Sequence, residues 1–180
     1  GQECPENTMS PKKIEVILMT IEGEILKKFP VEKEINSVAY SKDGKRIIAV
    51  HDDGKVFIWR TSGELITSLS SYSTEVSCSP DNNHFIICGY RGMEIYDSTG
   101  IKIRAISGEI MCCTYSPDGK YIIAGRSNDV EIFDSNGNSI NTISESKFDD
   151  SKAAFLKQDG FFYSGEVLWS LEGKRVVIPG

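Results

Sequence analysis

The chain has no apolar run longer than four residues in a length of 180, far short of the ~20 that a membrane-spanning helix needs. No transmembrane helix is expected. Its five cysteines, Cys4, Cys78, Cys88, Cys112 and Cys113, show no Cys-x-x-Cys spacing, and an odd number with no such pairing suggests neither a zinc site nor a disulfide framework. They read as buried thiols of a reducing, cytoplasmic compartment. Basic residues are outnumbered, 20 against 26 acidic, for a net charge of −6. Nucleic acid is therefore not expected as a partner, because binding phosphates requires clustered Lys and Arg. The first ten residues, GQECPENTMS, lack the basic and apolar stretches of a signal peptide. Residues 1–12 read as a flexible tail and 13–180 as the structured part.

Catalytic signatures are scarce too. The two histidines, His51 and His84, fall in different kinds of turn and should lie on opposite faces. No Gly-x-Ser-x-Gly stretch or glycine-rich phosphate loop occurs. The adjacent carboxylates Asp52–Asp53 and Asp149–Asp150 look like turn residues, not a pair flanking a cleft. No catalytic residue, cofactor or metal is assigned.

What the chain has is repetition. VAYSKDGKRIIAVHDDGKVFIWRTSGELITSL (38–69), VSCSPDNNHFIICGYRGMEIYDSTGIKIRAI (76–106) and CTYSPDGKYIIAGRSNDVEIFDSNGNSINTI (113–143) align as strand, turn, strand, turn, strand, turn, strand. Ser41-Lys-Asp-Gly44, Ser79-Pro-Asp-Asn82 and Ser116-Pro-Asp-Gly119 are turn sequences in which Gly or Asn accepts a left-handed backbone. A weaker copy stands at Lys157-Gln-Asp-Gly160. Gly23, Gly63, Gly100, Gly137 and Gly173 mark another turn at spacings of 40, 37, 37 and 36 residues. The runs between are short and rich in β-branched and aromatic residues, as strands are. Arg46–Val50, Phe85–Cys88 and Tyr121–Ala124 should be buried on both faces, and Val56–Trp59, Met93–Tyr96 and Val130–Phe133 on one.

A unit of this length with four antiparallel strands resembles a blade of the WD-repeat β-propeller family. Tyr96-Asp97 and Phe133-Asp134 end third strands as the family's Trp-Asp pair does, while Trp59-Arg60 and Trp169-Ser170 replace the Asp. No Gly-His pair precedes any first strand, so the family's His-Ser/Thr-Asp-Trp hydrogen-bond network cannot form and the chain resembles a divergent member. The expected fold is all-β, a propeller segment of four-stranded blades near 35–69, 73–106, 109–143 and 152–178. Residues 14–29 supply the third and fourth strands of a further blade. In this alignment Cys88 shares a slot with Ala49 and Ala124, and Cys113 with Val38 and Val76. Cys112 and Cys113, adjacent on one strand, should face opposite ways.

The resemblance implies a non-catalytic protein-interaction scaffold, part of a larger protein or assembly. One loop face would carry His51, Asp52, Tyr90, Arg91, Met111 and Arg126, of which the Tyr, Arg and Met are types enriched at interface cores. Its partners would be other proteins or a second copy completing the ring, not nucleic acid or membrane. A propeller holding a small ligand, or a quinoprotein-like one, is an alternative; so is a structural subunit that assembles through open blade edges.

Overall fold

The computed structural model describes residues 14–127 and 129–144, together with the short strands at 168–169 and 176–177. Those residues are all-β, arranged as four-stranded antiparallel sheets with shorter two-stranded ones. β1 (Ile14–Met19) and β2 (Ile25–Val31) form an antiparallel pair. The first full blade contains β3 (Ile35–Tyr40), β4 (Arg46–His51), β5 (Lys55–Arg60) and β6 (Leu65–Ser70) in sequential order. The second runs through β7 (Glu75–Cys78), β8 (His84–Gly89), β9 (Gly92–Asp97) and β10 (Lys102–Ser107). The third contains β11 (Cys112–Tyr115), β12 (Tyr121–Gly125), β13 (Asp129–Asp134) and β14 (Ser139–Ser144). β15 (Leu168–Trp169) pairs with β16 (Val176–Val177). The tail assigned to 1–12 and most of the blade assigned to 152–178 lie outside the described residues.

The Ser-x-Asp turn explains why each first strand folds back where it does. Ser41, Ser79 and Ser116 are buried, and each donates its hydroxyl to the Asp two residues on, at 2.7, 2.5 and 2.7 Å. The same oxygen accepts the amide that opens the second strand, from Arg46, His84 and Tyr121 at 2.9, 3.0 and 3.0 Å. The Asp in turn accepts the amide of Lys45, Asn83 or Lys120. A buried hydroxyl is thus satisfied twice, as burial requires. Asn82 adopts the left-handed conformation, φ 63°, at the position that Gly44 and Gly119 fill in the other copies. Asp97 and Asp134 do the corresponding work at the turn after the third strand, where each carboxylate accepts two downstream amides.

Packing joins blade to blade. Ile48, Val50, Val56 and Ile58 of the first blade meet Phe85, Ile87 and Tyr96 of the second. Ile86, Cys88, Met93 and Ile95 meet Cys113, Tyr115, Ile122, Ala124 and Phe133 of the third. On the other side of the first blade, Phe29 of β2 packs with Ile47, Ala49 and Trp59, and Val16 and Leu18 of β1 lean on the same cluster. The third strands of the first two blades are consequently covered on both faces, not on one, because each of those blades stands between two neighbouring sheets. Val56 and Ile58 face one neighbour while Trp59 faces the other.

The register also moves Cys88. It occupies the slot of Val50 and Gly125, one residue beyond Ala49 and Ala124, since those alanines pair with Val38 and Cys113 and their counterpart Ile87 pairs with Val76. Cys112 and Cys113 do face opposite ways, into separate clusters. Near the propeller axis β3, β7 and β11 lie side by side. Ser37 accepts the Val76 amide at 3.3 Å, and Ser77 accepts that of Tyr115 at 3.4 Å.

Replacing Ser116 with Ala should cost about 1–3 kcal/mol, the penalty of stranding a buried donor, read as a lower urea midpoint at unchanged m-value. Ile123→Asp should prevent folding of its blade, because it buries an unpaired charge. A soluble, cooperative Ile123→Asp protein would contradict the packing described above.

Candidate functional site

Linkers between blades and hairpins between second and third strands gather at one end of the sheets, and backbone hydrogen bonds fix them to each other. Ser71 N–H donates to Gly54 O (2.6 Å) and Thr74 N–H to Cys88 O (2.8 Å), so one linker is held by two consecutive blades. The next linker repeats the arrangement through Ile110 to Gly89 (3.2 Å) and Met111 to Gly125 (2.8 Å). Gly89 is required there, since a Cβ would lie 2.6 Å from Tyr72 O and 2.9 Å from Ser73 Cα.

On this frame Tyr90 is 72% exposed. Arg91, beside it, lays its guanidinium 3.7 Å from the ring centroid of Tyr72, an exposed linker residue. Stacking holds the arginine while leaving its edge free to bond. Beneath, Ser71 donates to Glu94 Oε2 (3.0 Å), and Tyr96 O–H donates to the same oxygen (2.7 Å). Lys102 also contacts Glu94. Burial would raise the Glu94 pKa, yet the bonds from Lys102, Tyr96 and Ser71 together hold it below the usual carboxylate value. An ionised Glu94 is therefore part of the support under the linker.

The six residues expected on this face separate into different environments. Asp52 is exposed, and its amide donates to Glu34 O (3.0 Å). Tyr90 and Arg91 form the exposed cluster just described. Met111 is half-buried. Arg126 is tied down, with Nε 2.9 Å and Nη2 2.7 Å from Glu131 Oε2. His51 is not on the surface: it is 2% exposed, the last residue of β4, with its ring 4.7 Å from that of Phe57. An end-of-strand residue in a fully buried second strand stays in the core. Its Nε2 has no hydrogen-bond partner. His84 opens β8 at the opposite end, so the two histidines do not share a site. Tyr72 was missed, and its signal is an aromatic residue in a linker where the next repeat has Glu109.

Chemically, the described residues of this face offer a cation, phenol rings and carboxylates. Among the described residues no group of three or more His, Cys, Asp or Glu is placed to hold a metal. No helix there is long and apolar enough to cross a membrane.

Sequential four-stranded sheets, packed face to face with their first strands side by side, define a WD-type β-propeller segment. Residues 5–150 match the family described as eukaryotic translation initiation factor eIF2A, and the chain belongs to that family. No curated protein sequence matches it. Among solved structures it is similar to the RRP9 WD40 repeats, with TM-score 0.59 and 11% identity over 63% of this chain and 39% of that one. U3-55K gives TM-score 0.59 and 11% identity, covering 63% and 40%. Kuenenia stuttgartiensis hydrazine synthase gives TM-score 0.62 and 17% identity, covering 72% and 43%. The chain spans about two fifths of each of these structures, and identities this low establish the fold alone.

Burial pushes the His51 pKa below 6.5, against the opposing pull of Asp53 and Asp52. The folded state thus binds this proton less readily than the unfolded chain does. Stability should fall as pH drops below about 6.5, until the folded-state pKa is passed. Urea midpoints should therefore decrease from about pH 7 to pH 5.5 in the wild type, and less so in His51→Leu.

Proposed function

We propose that this chain is a non-catalytic docking platform for proteins, and that, in keeping with its family, it works in the assemblies that initiate translation. The observation carrying this reading is the Tyr90, Arg91 and Tyr72 cluster, an exposed aromatic and arginine surface mounted on linkers that hydrogen bonds to two blades hold. Tyr and Arg dominate the energetics of protein interfaces. A pre-ordered loop also loses less entropy on binding than a mobile one. The acidic balance of the chain favours protein over naked nucleic acid, and a cytoplasmic setting follows from the same reading.

Ligand-holding propellers place polar groups on the innermost strands. Here Ser37 and Ser77 already accept backbone amides across the strands, and Thr114 lies 3.4 Å from Ser77. The small-ligand and quinoprotein-like alternative therefore receives less support than docking.

Co-sedimentation with initiation complexes from a translating extract, with protein-free RNA as comparator, tests the proposal. Tyr90→Ala combined with Arg91→Glu should reduce recovery at least tenfold, with a change in stability of about 0.5 kcal/mol or less, as usual for surface sites. Arg126 is unsuited to charge reversal, which would set two carboxylates against each other at Glu131. Undiminished recovery of the double variant would refute the loop-face assignment, and equal binding to protein-free RNA would refute the protein-docking reading.

A further inference from the structure

The cations around the linkers are not equally engaged. Lys55 pairs with Asp53 at 3.9 Å, Arg126 with Glu131 at 2.7 Å, and Lys102 with Glu94. Arg91 is exposed and lies over the Tyr72 ring, but among the described residues no hydrogen bond or ion pair engages its side chain. A guanidinium held by its face keeps an edge of parallel N–H donors, whose spacing matches a carboxylate. Its surroundings are acidic on two sides. The hairpin at 52–54 borders Tyr72, since a Cβ on Gly54 would lie 3.7 Å from Tyr72 Cα. The linker through Glu109 borders the Tyr90 hairpin, where Ile110 N–H donates to Gly89 O. Asp52, Asp53 and Glu109 are all exposed.

We propose that Arg91, held on Tyr72, is a carboxylate receptor, and that its occupant is a peptide segment of a partner protein with one Asp or Glu beside an apolar side chain and Lys or Arg flanking them. The carboxylate takes two parallel N–H···O bonds from the guanidinium edge. The apolar neighbour covers the ring of Tyr90, which is 72% exposed. Flanking basic residues meet Asp52 and Glu109. Charge decides against a nucleic acid here, because a strand with a phosphate at every nucleotide would gain one cation and meet the carboxylates on both sides of it. A protein segment with a single acid avoids that repulsion. Tyr72 is a positioning residue: its ring orders the guanidinium before the partner arrives, so less rotamer entropy is lost on binding. This inference rests on the protein-docking reading of the loop face and adds the chemistry of what docks.

Random peptides displayed on phage are selected on the full chain, and the enriched sequences are then measured as labelled synthetic peptides by fluorescence anisotropy. The expected result is one acidic position next to an aromatic or aliphatic one, with Lys or Arg nearby. Replacing that acid with its amide should weaken binding by at least about tenfold, as the loss of an interface hot spot does. Arg91→Lys keeps the charge but loses the paired donors, and should weaken binding too. Arg91→Glu should prefer the peptide whose acid is replaced by Lys, a reversal that a misfolded variant could not show. Peptides that need Tyr90 but bind equally well to Arg91→Ala, or without their acid, would overturn this inference and leave the docking reading standing. Peptides indifferent to both Tyr90→Ala and Arg91→Glu, or a selection that enriches none, would overturn both. A single-stranded RNA oligonucleotide that binds through Arg91 more tightly than the enriched peptides would assign the cation to phosphate and likewise overturn the proposal.

Discussion

Each of the three described four-stranded sheets has two apolar faces, and a single sheet can hide neither. That constraint governs the rest of the structure. Second strands are buried along their whole length, from Ile47 to Val50, Phe85 to Cys88 and Ile122 to Ala124, so each blade depends on neighbours at both sides. Alternate residues of one strand are committed to different interfaces: Ile86 and Cys88 to the following blade, Phe85 and Ile87 to the preceding one. A slip of one residue would exchange the two sets and set Phe85 where Ile86 fits. Stability in such an array is a sum over joints, each adding its own buried apolar contacts.

Registers that strict need turns that cannot drift, and the Ser-x-Asp motif supplies them. One buried hydroxyl is bonded on both sides, to a carboxylate and to the first amide of the returning strand. Asp43, Asp81 and Asp118 all have lowered pKa values in this arrangement, with the serine hydroxyl among the causes in each case. The turns also join blades to each other. Arg46 Nη2 donates to Asn82 O at 2.5 Å, and Asp43 N–H donates to Asn82 Oδ1 at 2.9 Å. Arg104 likewise reaches Asn136 O and Asn138 Oδ1 of the next blade. Bonds at the turn end and at the linker end thus lock the sheets together at both rims, although the network usual in WD repeats has no histidine to begin from.

Strand order and turns were legible in the sequence because both rest on local chemistry: Gly and Asn for left-handed backbone, Ser and Asp for turn bonds, β-branched runs between. Which face of a strand meets which neighbour is not local. The alternation of Val56–Trp59 suggests one buried face, yet Phe57 and Trp59 pack on Phe29, whose ring lies 5.5 Å from that of Trp59 across a joint. The candidate site was half legible for the same reason. Tyr90 and Arg91 sit in a hairpin that the repeat locates, whereas the stacking of Arg91 on Tyr72 joins two segments whose contact only the fold creates. The family's loop pattern puts His51 in the hairpin between second and third strands, whereas it ends β4 and is buried against Phe57 of the adjacent strand.

On the proposed docking face, the exposed side chains and the groups that hold the linkers are largely different atoms. The linkers are held through backbone groups, from Ser71, Thr74, Ile110 and Met111, with the Ser71 hydroxyl and the buried Ile110 side chain adding to the hold, so it is the exposed Tyr72 that can vary without loosening the frame. Ser73 and Ile110 occupy equivalent positions beneath successive linkers, both buried, one polar and one apolar. Tyr72 and Glu109 differ as sharply one residue earlier. A surface whose scaffold is main chain can change its partner by changing exposed side chains, and the blades below need not respond.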